Sequence, residues 1–319
     1  MDIKEEIKRR AEEINKAINE LLPIKDPETL YIASRHLIKA GGKRLRPVLT
    51  LISAEAIGRD WRRILPSAIA IETIHNFTLI HDDIMDRDEM RRGVPTVHKL
   101  YGEPIAILAG DTLFAEAFKI LARCDVDSKN IVKAVEMLAD VCIKICEGQY
   151  LDLSFEKRDY ISEEEYLRMV EKKTAVLIAC SCSIPAVLFN EKRFIEPLWN
   201  FGFYCGIGFQ IHDDVLDLIG KDKIGKDWGS DLVEGKKTLV ILKAMEMGVK
   251  IEIFGKKKAK KEEIEKAVKK LEDCGAIEYA SKKAKEFVEK GKSYLNALPD
   301  SDAKDLLKAI ADYLVTREY

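Results

Sequence analysis

Three carboxylates stand within five residues at Asp82-Asp83-Ile84-Met85-Asp86. They follow an apolar run that holds Ile69, Ala70, Ile71, Ile74, Phe77, Leu79 and Ile80. A helix carrying such a run should be buried, and burying three negative charges together is prohibitive unless something cancels them. On a helix, positions 82 and 86 lie about 40° apart on one face, one turn along the axis. Asp82 and Asp86 can therefore aim oxygens at one spot, with Asp83 to the side. Hard oxygen donors in that arrangement suit Mg2+ better than zinc. Alone, the cluster has a solvated acidic helix end as its lesser alternative. The chain repeats it, however. About 130 positions later, His212-Asp213-Asp214-Val215-Leu216-Asp217 follows the order of His81 to Asp86, again on a long apolar run. Two copies argue for a pair of facing metal-binding helices.

Cations accompany both copies. Lys43, Arg44 and Arg46 follow the Gly41-Gly42 pair, Arg91-Arg92-Gly93 comes directly after the first cluster, and Lys173, Lys226 and Lys236 stand near turns. Guanidiniums grip phosphate oxygens bidentately, and glycine pairs let backbone approach a ligand. Carboxylate-bound metal together with Lys and Arg is the usual way to hold a diphosphate. The aspartate-bearing stretches are apolar, so the implied substrate has a diphosphate head and a greasy tail. No positioned nucleophile is evident. The chemistry this inventory supports is metal-assisted departure of diphosphate, leaving a carbocation in an apolar cavity.

Helices must position these groups. Ile3, Ile7, Ala11, Ile14, Ala17, Ile18 and Leu21 have helical spacing over residues 2–22. Asp26-Pro27 reads as an N-cap and a first-turn proline, opening a helix to about Ala40. Further helices are expected over 47–57, 62–88, 104–122, 128–155 and 193–218. Gln149 and Asp152 share one face of the fourth of these. Ser162-x-x-Glu165 is a capping box that starts the helix carrying Lys172, Lys173 and Thr174. Residues 262–273, 276–297 and 301–316 read as amphipathic helices. No strand-like alternation appears. The expected fold is all-α, a single domain over residues 1–319.

The chain has 319 residues, of which 47% are hydrophobic and 34% charged, and its net charge is −2. Such a balance leaves no electrostatic footprint for nucleic acid. Seven cysteines without CxxC pairs argue against a disulfide framework, and Cys180 and Cys182 read as buried small hydrophobes. Asp2, Glu5 and Glu6 do not fit a signal peptide, and the uncharged run Thr174–Asn190 is better read as a buried helix than as a membrane span. A cytoplasmic protein without a transmembrane segment is expected. Glu72-x-x-His75 raises a di-iron carboxylate bundle as a rival, but there is no second ExxH and the cations would be unexplained.

The chain resembles the trans-isoprenyl diphosphate synthases (polyprenyl synthetases), most closely the archaeal-type geranylgeranyl diphosphate synthases. The matching motifs are Gly41-Gly42-Lys43-Arg44-Leu45-Arg46-Pro47, the first DDxxD with Arg91-Arg92-Gly93, Gly148-Gln149 with Asp152, Lys173-Thr174, Gly206-Ile207-Gly208-Phe209-Gln210 with the second DDxxD, and Gly225-Lys226-Asp227 with Gly235-Lys236. They run in family order over residues 40–240. The resemblance implies a helical bundle with a central active-site cavity. It also implies head-to-tail condensation of isopentenyl diphosphate with dimethylallyl, geranyl or farnesyl diphosphate. Three Mg2+ ions, replaceable by Mn2+, would hold the allylic diphosphate between the aspartate patches. By the same resemblance Asp82, Asp86 and Asp213 are direct ligands, and Asp83, Asp152, Asp214 and Asp217 act through water or the outer sphere. Arg91, Lys173, Lys226 and Lys236 would grip the allylic diphosphate. Lys43, Arg46, His75 and Arg92 would bind isopentenyl diphosphate. Thr174, Gln210 and Asp152 would flank the reacting carbon. A homodimer is implied as well.

Phe77 and Thr78 lie about 7.5 and 6 Å before Asp82 along its helix, at 1.5 Å per residue. In the resembled family, bulky side chains there floor the tail pocket. One aromatic at the farther place and a small residue at the nearer imply a C20 product, with C15 or longer chains as alternatives. A terpene cyclase of the same fold would not need Lys43, Arg46 and Arg92. A non-catalytic subunit of a hetero-oligomeric synthase would tend to lose aspartates, and both clusters are intact.

Overall fold

The computed structural model describes residues 3–220 and 228–316. Lys226, with Gly225 and Asp227 of its motif, lies outside the described residues. Fifteen α-helices appear among the described residues. The first six are α1 (Ile3–Leu21), α2 (Glu28–Lys39), α3 (Leu45–Ala56), α4 (Leu65–Asp86), α5 (Val97–Tyr101) and α6 (Glu103–Leu121). Then come α7 (Ser128–Glu156), α8 (Glu163–Val170), α9 (Val176–Leu188) and α10 (Lys192–Ile219). The last five are α11 (Ser230–Glu234), α12 (Leu239–Glu246), α13 (Lys261–Asp273), α14 (Ala276–Tyr294) and α15 (Asp302–Thr316).

Two compact units emerge. The first comprises residues 1–142, 180–199 and 297–307. Its core is the packing of α4 against α6. Between Ser67 and Ile74 every side chain of α4 is buried, as expected of a helix that is apolar on all sides. Small residues Ala106, Ala109, Gly110 and Ala117 line the buried face of α6. At Gly110 a Cβ would stand 2.2 Å from His81 Nε2, so no other residue fits without moving that ring.

The second unit comprises residues 143–179, 200–296 and 308–319. Within it α12 packs on α14, and α8 leads into a single wide helical turn with i→i+5 bonding, Glu171–Ala175. The capping box at Ser162 forms as the sequence predicts: Glu165 N donates to Ser162 Oγ at 3.1 Å and Ser162 N to Glu165 Oε2 at 2.9 Å.

Two expectations need correction. Pro27, not Asp26, occupies the N-cap of α2, and no side chain caps that helix. The apolar pattern over 62–88 conceals a short 3-10 turn, Trp61–Ile64, before α4 begins. A two-residue antiparallel hairpin, β1 (Met90–Arg91) with β2 (Val94–Pro95), breaks the otherwise all-helical fold. It is too short to show a period of two.

Candidate active site

Burial divides each aspartate cluster in the same way. In the first, Asp83 is fully buried while Asp82 and Asp86 are half-buried. In the second, Asp214 is buried while Asp213 and Asp217 are half-buried. One carboxylate per cluster, not three, therefore bears the burial problem that the apolar pattern announces.

Asp83 meets it with Arg91, whose Nε donates to Asp83 Oδ1. Arg91 Nη2 also lies 3.1 Å from Asp88 Oδ2 and 3.8 Å from Asp82 Oδ2. Burial still pushes the Asp83 carboxyl up to about 6 against the lowering effect of Arg91. Burial opposes the Arg91 charge too, but Asp83, Asp82 and Asp88 outweigh it and hold Arg91 above its usual value.

The turn between β1 and β2 places the neighbouring cation. Both central residues, Arg92 at φ 53° and Gly93 at φ 75°, are left-handed, which is the geometry a two-residue hairpin favours. That conformation costs a non-glycine residue about 1–2 kcal/mol. Three hydrogen bonds from Arg92 Nη1 oppose the cost: to Leu37 O at 3.0 Å, Gly41 O at 2.6 Å and Asn76 Oδ1 at 3.4 Å. The guanidinium lies against Gly42, where a Cβ would come within 3.0 Å of it.

Arg44 and Arg46 take different roles. Arg44 is buried and donates to Glu72 Oε1 at 2.9 Å, Gly41 O at 3.1 Å, Ile38 O at 2.6 Å and Asn15 Oδ1 at 2.9 Å. It joins α1, α2 and α4. Its hold on Glu72 argues against the ExxH metal pair, because that buried carboxylate already accepts from Arg44 and Asn76 at Oε1. Arg46 Nη1 lies 3.3 Å from His75 Nε2, which must accept, since a guanidinium has no lone pair to offer. Burial, followed by Arg46, Arg92, Arg91 and Arg44, drives His75 well below the ordinary imidazole value, so it stays neutral. Lys43 is exposed nearby in sequence. Among Lys43, Arg46, His75 and Arg92, this unit thus pairs Arg46 with His75 and seats Arg92 on the Gly41-Gly42 turn.

The Phe77 ring packs edge-on to His81 at 4.9 Å and against Phe114 of α6 at 5.2 Å. His81 Nε2 lies 3.2 Å from Ile107 O, so this histidine serves the wall. Thr78 Oγ1 donates to His75 O at 2.7 Å.

In the second unit, Gly148 of α7 lets the wide turn approach: a Cβ there would stand 2.3 Å from Lys173 N. Lys173 Nζ then donates to Asp152 Oδ2 at 2.6 Å. Thr174 Oγ1 donates to Gln210 Oε1 at 2.9 Å, and Gln210 Nε2 to Asp214 Oδ1 at 2.9 Å. Tyr166 Oη donates to Asp214 Oδ2 at 2.6 Å. Burial, with Asp231 second, pushes Asp214 up to about 8. Asp217 accepts from Ser230 Oγ at 3.1 Å and Asp231 N at 3.2 Å, so it ties the start of α11 to α10. Lys236 Nζ lies 3.1 Å from Asp231 Oδ1 and 3.3 Å from Glu234 Oε2.

Tyr166, Asp231, Asp88 and Asn76 were not foreseen from the sequence. Tyr166 sits at a core position of an amphipathic helix and reads as ordinary packing. Asp88, two residues beyond the first cluster, could have been found from its spacing to Arg91. Lys237, which reads as a surface neighbour of Lys236, is half-buried and donates to Phe155 O at 3.0 Å.

Among the described residues, no group of three or more His, Cys, Asp or Glu side chains could enclose a metal ion. Mg2+ is held through one or two carboxylates and completes its octahedron with water and substrate phosphate. Asp82 and Asp86, one turn apart and half-buried, offer such a pair. Asp83 Oδ2 is buried with no hydrogen-bond partner among the described residues, an acceptor left over for a cation or its water. The donor set fits the ion.

Comparison with known proteins gives the class. The sequence matches the family described as polyprenyl synthetase over residues 27–271. The chain belongs to that family and is a prenyltransferase. It is 59% identical to a geranylgeranyl pyrophosphate synthase of Geoglobus acetivorans, over 99% of this chain and 100% of the relative. With a geranylgeranyl diphosphate synthase of Methanosarcina mazei it shares 50% identity, over 100% and 99%. A solved geranylgeranyl pyrophosphate synthetase from Geoglobus acetivorans superposes with a TM-score of 0.93 at 57% identity, covering 98% of this chain and 99% of that one. The fold is the all-α isoprenoid synthase fold. No helix among the described residues is long and apolar enough to cross a membrane.

Proposed function

We propose that this chain condenses isopentenyl diphosphate with an allylic diphosphate, dimethylallyl, geranyl or farnesyl, to give geranylgeranyl diphosphate (C20) and diphosphate. The observation that carries this is the matched burial of the two aspartate clusters, each offering half-buried carboxylates around a buried one. Relatives named for geranylgeranyl diphosphate synthesis support it.

Mg2+, in the family's usual manner and expected as three ions with Mn2+ as substitute, supplies charge for the departing diphosphate. Asp82, Asp86 and Asp213 would hold it, with Asp83, Asp152, Asp214 and Asp217 behind them. Arg91, Lys173, Lys226 and Lys236 grip the allylic diphosphate. On the protein as described, Arg91, Lys173 and Lys236 are paired with carboxylates, so binding exchanges those partners for phosphate oxygens. The bond from allylic C1 to oxygen breaks, and both electrons leave with diphosphate. Lys43, Arg46, neutral His75 and Arg92 hold isopentenyl diphosphate, whose double bond attacks C1. A proton then leaves to the released diphosphate. Thr174, Gln210 and Asp152 stabilise the positive charge, and residues 1–319 act as one synthase domain. Phe77, backed by Phe114, floors the tail pocket beside Thr78. Exposed Ile107, Leu108 and Phe114 on α6 support a homodimer. Cytoplasmic localisation is part of this proposal.

Incubation with Mg2+, isopentenyl diphosphate and each starter, followed by product sizing, tests the reading. A C20 product is expected from all three starters. No product with any starter would overturn it in favour of a non-catalytic subunit; a C15 or longer main product would overturn only the chain length. The same assay on Phe77→Ser should shift products beyond C20, and an unchanged distribution would remove Phe77 from the floor.

A further inference from the structure

We infer that Tyr166 is a positioning residue that sets the direction of a hydrogen-bond relay ending on Thr174. The inference rests on the prenyl-transfer reading and extends it to a residue outside the family motifs quoted above. Four side chains form the relay: Tyr166 Oη to Asp214 Oδ2 at 2.6 Å, Gln210 Nε2 to Asp214 Oδ1 at 2.9 Å, and Thr174 Oγ1 to Gln210 Oε1 at 2.9 Å. Tyr166 and Asp214 are buried, as is Thr174.

Polarity follows from the chemistry of each group. Both Asp214 oxygens accept in this arrangement, a tyrosine hydroxyl donates one proton, and an amide offers one accepting end and one donating end. The carboxylate plane of an aspartate is otherwise loosely held, because rotation about its last torsion is broad. The Tyr166 hydroxyl pins Oδ2 and thereby aims Oδ1 at Gln210. The amide of Gln210 turns its nitrogen to Asp214 and its oxygen to Thr174. Thr174 spends its only proton on that oxygen. Its hydroxyl lone pairs remain for a developing positive charge. Were the amide reversed, Thr174 would accept from Nε2 and present a proton instead, which repels a cation.

The scaffold holds Tyr166 still. Its α8 is fixed at the start by the Ser162–Glu165 capping box. One turn away, Tyr279 Oη donates to Glu163 Oε2 at 2.7 Å. The wide turn at Glu171–Ala175, which carries Lys173 and Thr174, follows α8 directly, and such turns recur at functional sites.

Steady-state kinetics on Tyr166→Phe tests the relay, because it removes one hydroxyl and keeps the ring. Outer partners of a site typically contribute about 10–100-fold, and kcat should fall by at least about tenfold. KM for both diphosphates and the Mg2+ concentration for half-activity should stay within about twofold. In a Thr174→Val background, Tyr166→Phe should cost no further activity, because coupled residues are not additive. Thr174→Ser, which keeps the hydroxyl, should retain kcat within about threefold while Thr174→Val loses as much as Tyr166→Phe. Unchanged kcat in folded Tyr166→Phe, fully multiplicative losses, or equal losses in Thr174→Ser and Thr174→Val would each overturn the inference. Circular dichroism reports folding; if Tyr166→Phe does not fold, the Thr174 pair still decides whether the hydroxyl acts. Inactive wild-type protein would instead sink the function on which the inference rests.

Discussion

The two aspartate clusters share a sequence order and a burial order, yet they neutralise their buried carboxylates by different means. Asp83 leans on a guanidinium, Arg91, that also reaches Asp82 and Asp88. Asp214 has two neutral donors, Tyr166 and Gln210. The same motif is thus anchored once by charge and once by hydrogen bonds. Burial raises each acid, to about 6 for Asp83 against the pull of Arg91 and to about 8 for Asp214, where Asp231 adds to it. A cation beside a carboxylate lowers its proton affinity more than neutral donors do. The first cluster also gains a cation that can be released to a phosphate, whereas the second gains a fixed relay.

The largest effect that would test this contrast is on stability. Arg91→Leu leaves Asp83 buried without its cation, and breaking such a pair costs about 3–5 kcal/mol. Asp83 can take up a proton instead, so the loss should be smaller at pH 5 than at pH 8. Tyr166→Phe removes a neutral donor, for which about 1–3 kcal/mol is typical. Urea unfolding of both variants reads the ranking. If Tyr166→Phe proves the more costly at pH 8, the contrast between charge and hydrogen bonding fails.

Next in size is a pH effect on the metal-free protein. Both carboxyls have folded values above the unfolded value near 4, so the folded chain keeps protons that the unfolded chain has released. Stability therefore falls as pH rises from about 4, and the fall ends near 6 for Asp83 and near 8 for Asp214. Each group contributes a slope of at most about 1.4 kcal/mol per pH unit. Asp214→Asn should flatten the decline between pH 6 and 8, and Asp83→Asn should leave that window alone. Equal effects of the two variants above pH 6 would erase the distinction.

How much of this was legible depends on the range of each interaction. The apolar run of α4 and the doubled acid pattern lie within one helix each, so periodicity displays them. The capping box spans four residues and forms as expected. Tyr166 and Asp214 are 48 positions apart, and neither residue type nor spacing hints that they meet. The division of labour between Arg44 and Arg46 was equally hidden. Two cations on one turn look alike in sequence, but the left-handed backbone at Arg44 turns its side chain into the core toward Glu72, while Arg46 meets His75. The wide turn carrying Lys173 depends on Gly148 of another helix admitting its backbone. Nothing in residues 171–175 alone would forecast it.

The smallest effect concerns the last aspartate of the second cluster. Asp217 has a structural duty, accepting from Ser230 Oγ and Asp231 N at the head of α11. A ligand whose oxygens are already engaged in this way suits a place behind the metal better than one on it, because each donor competes with the ion for a lone pair. Ser230→Ala removes one of these donors. It should lower stability by about 1 kcal/mol, the usual net worth of one hydrogen bond, visible as a small drop in Tm. Product formation should stay within about twofold, since the freed lone pair can be taken by water. A tenfold change in the Mg2+ dependence of Ser230→Ala would place Asp217 on the ion itself, and the second cluster would then hold metal with both outer aspartates, as proposed for Asp82 and Asp86 in the first.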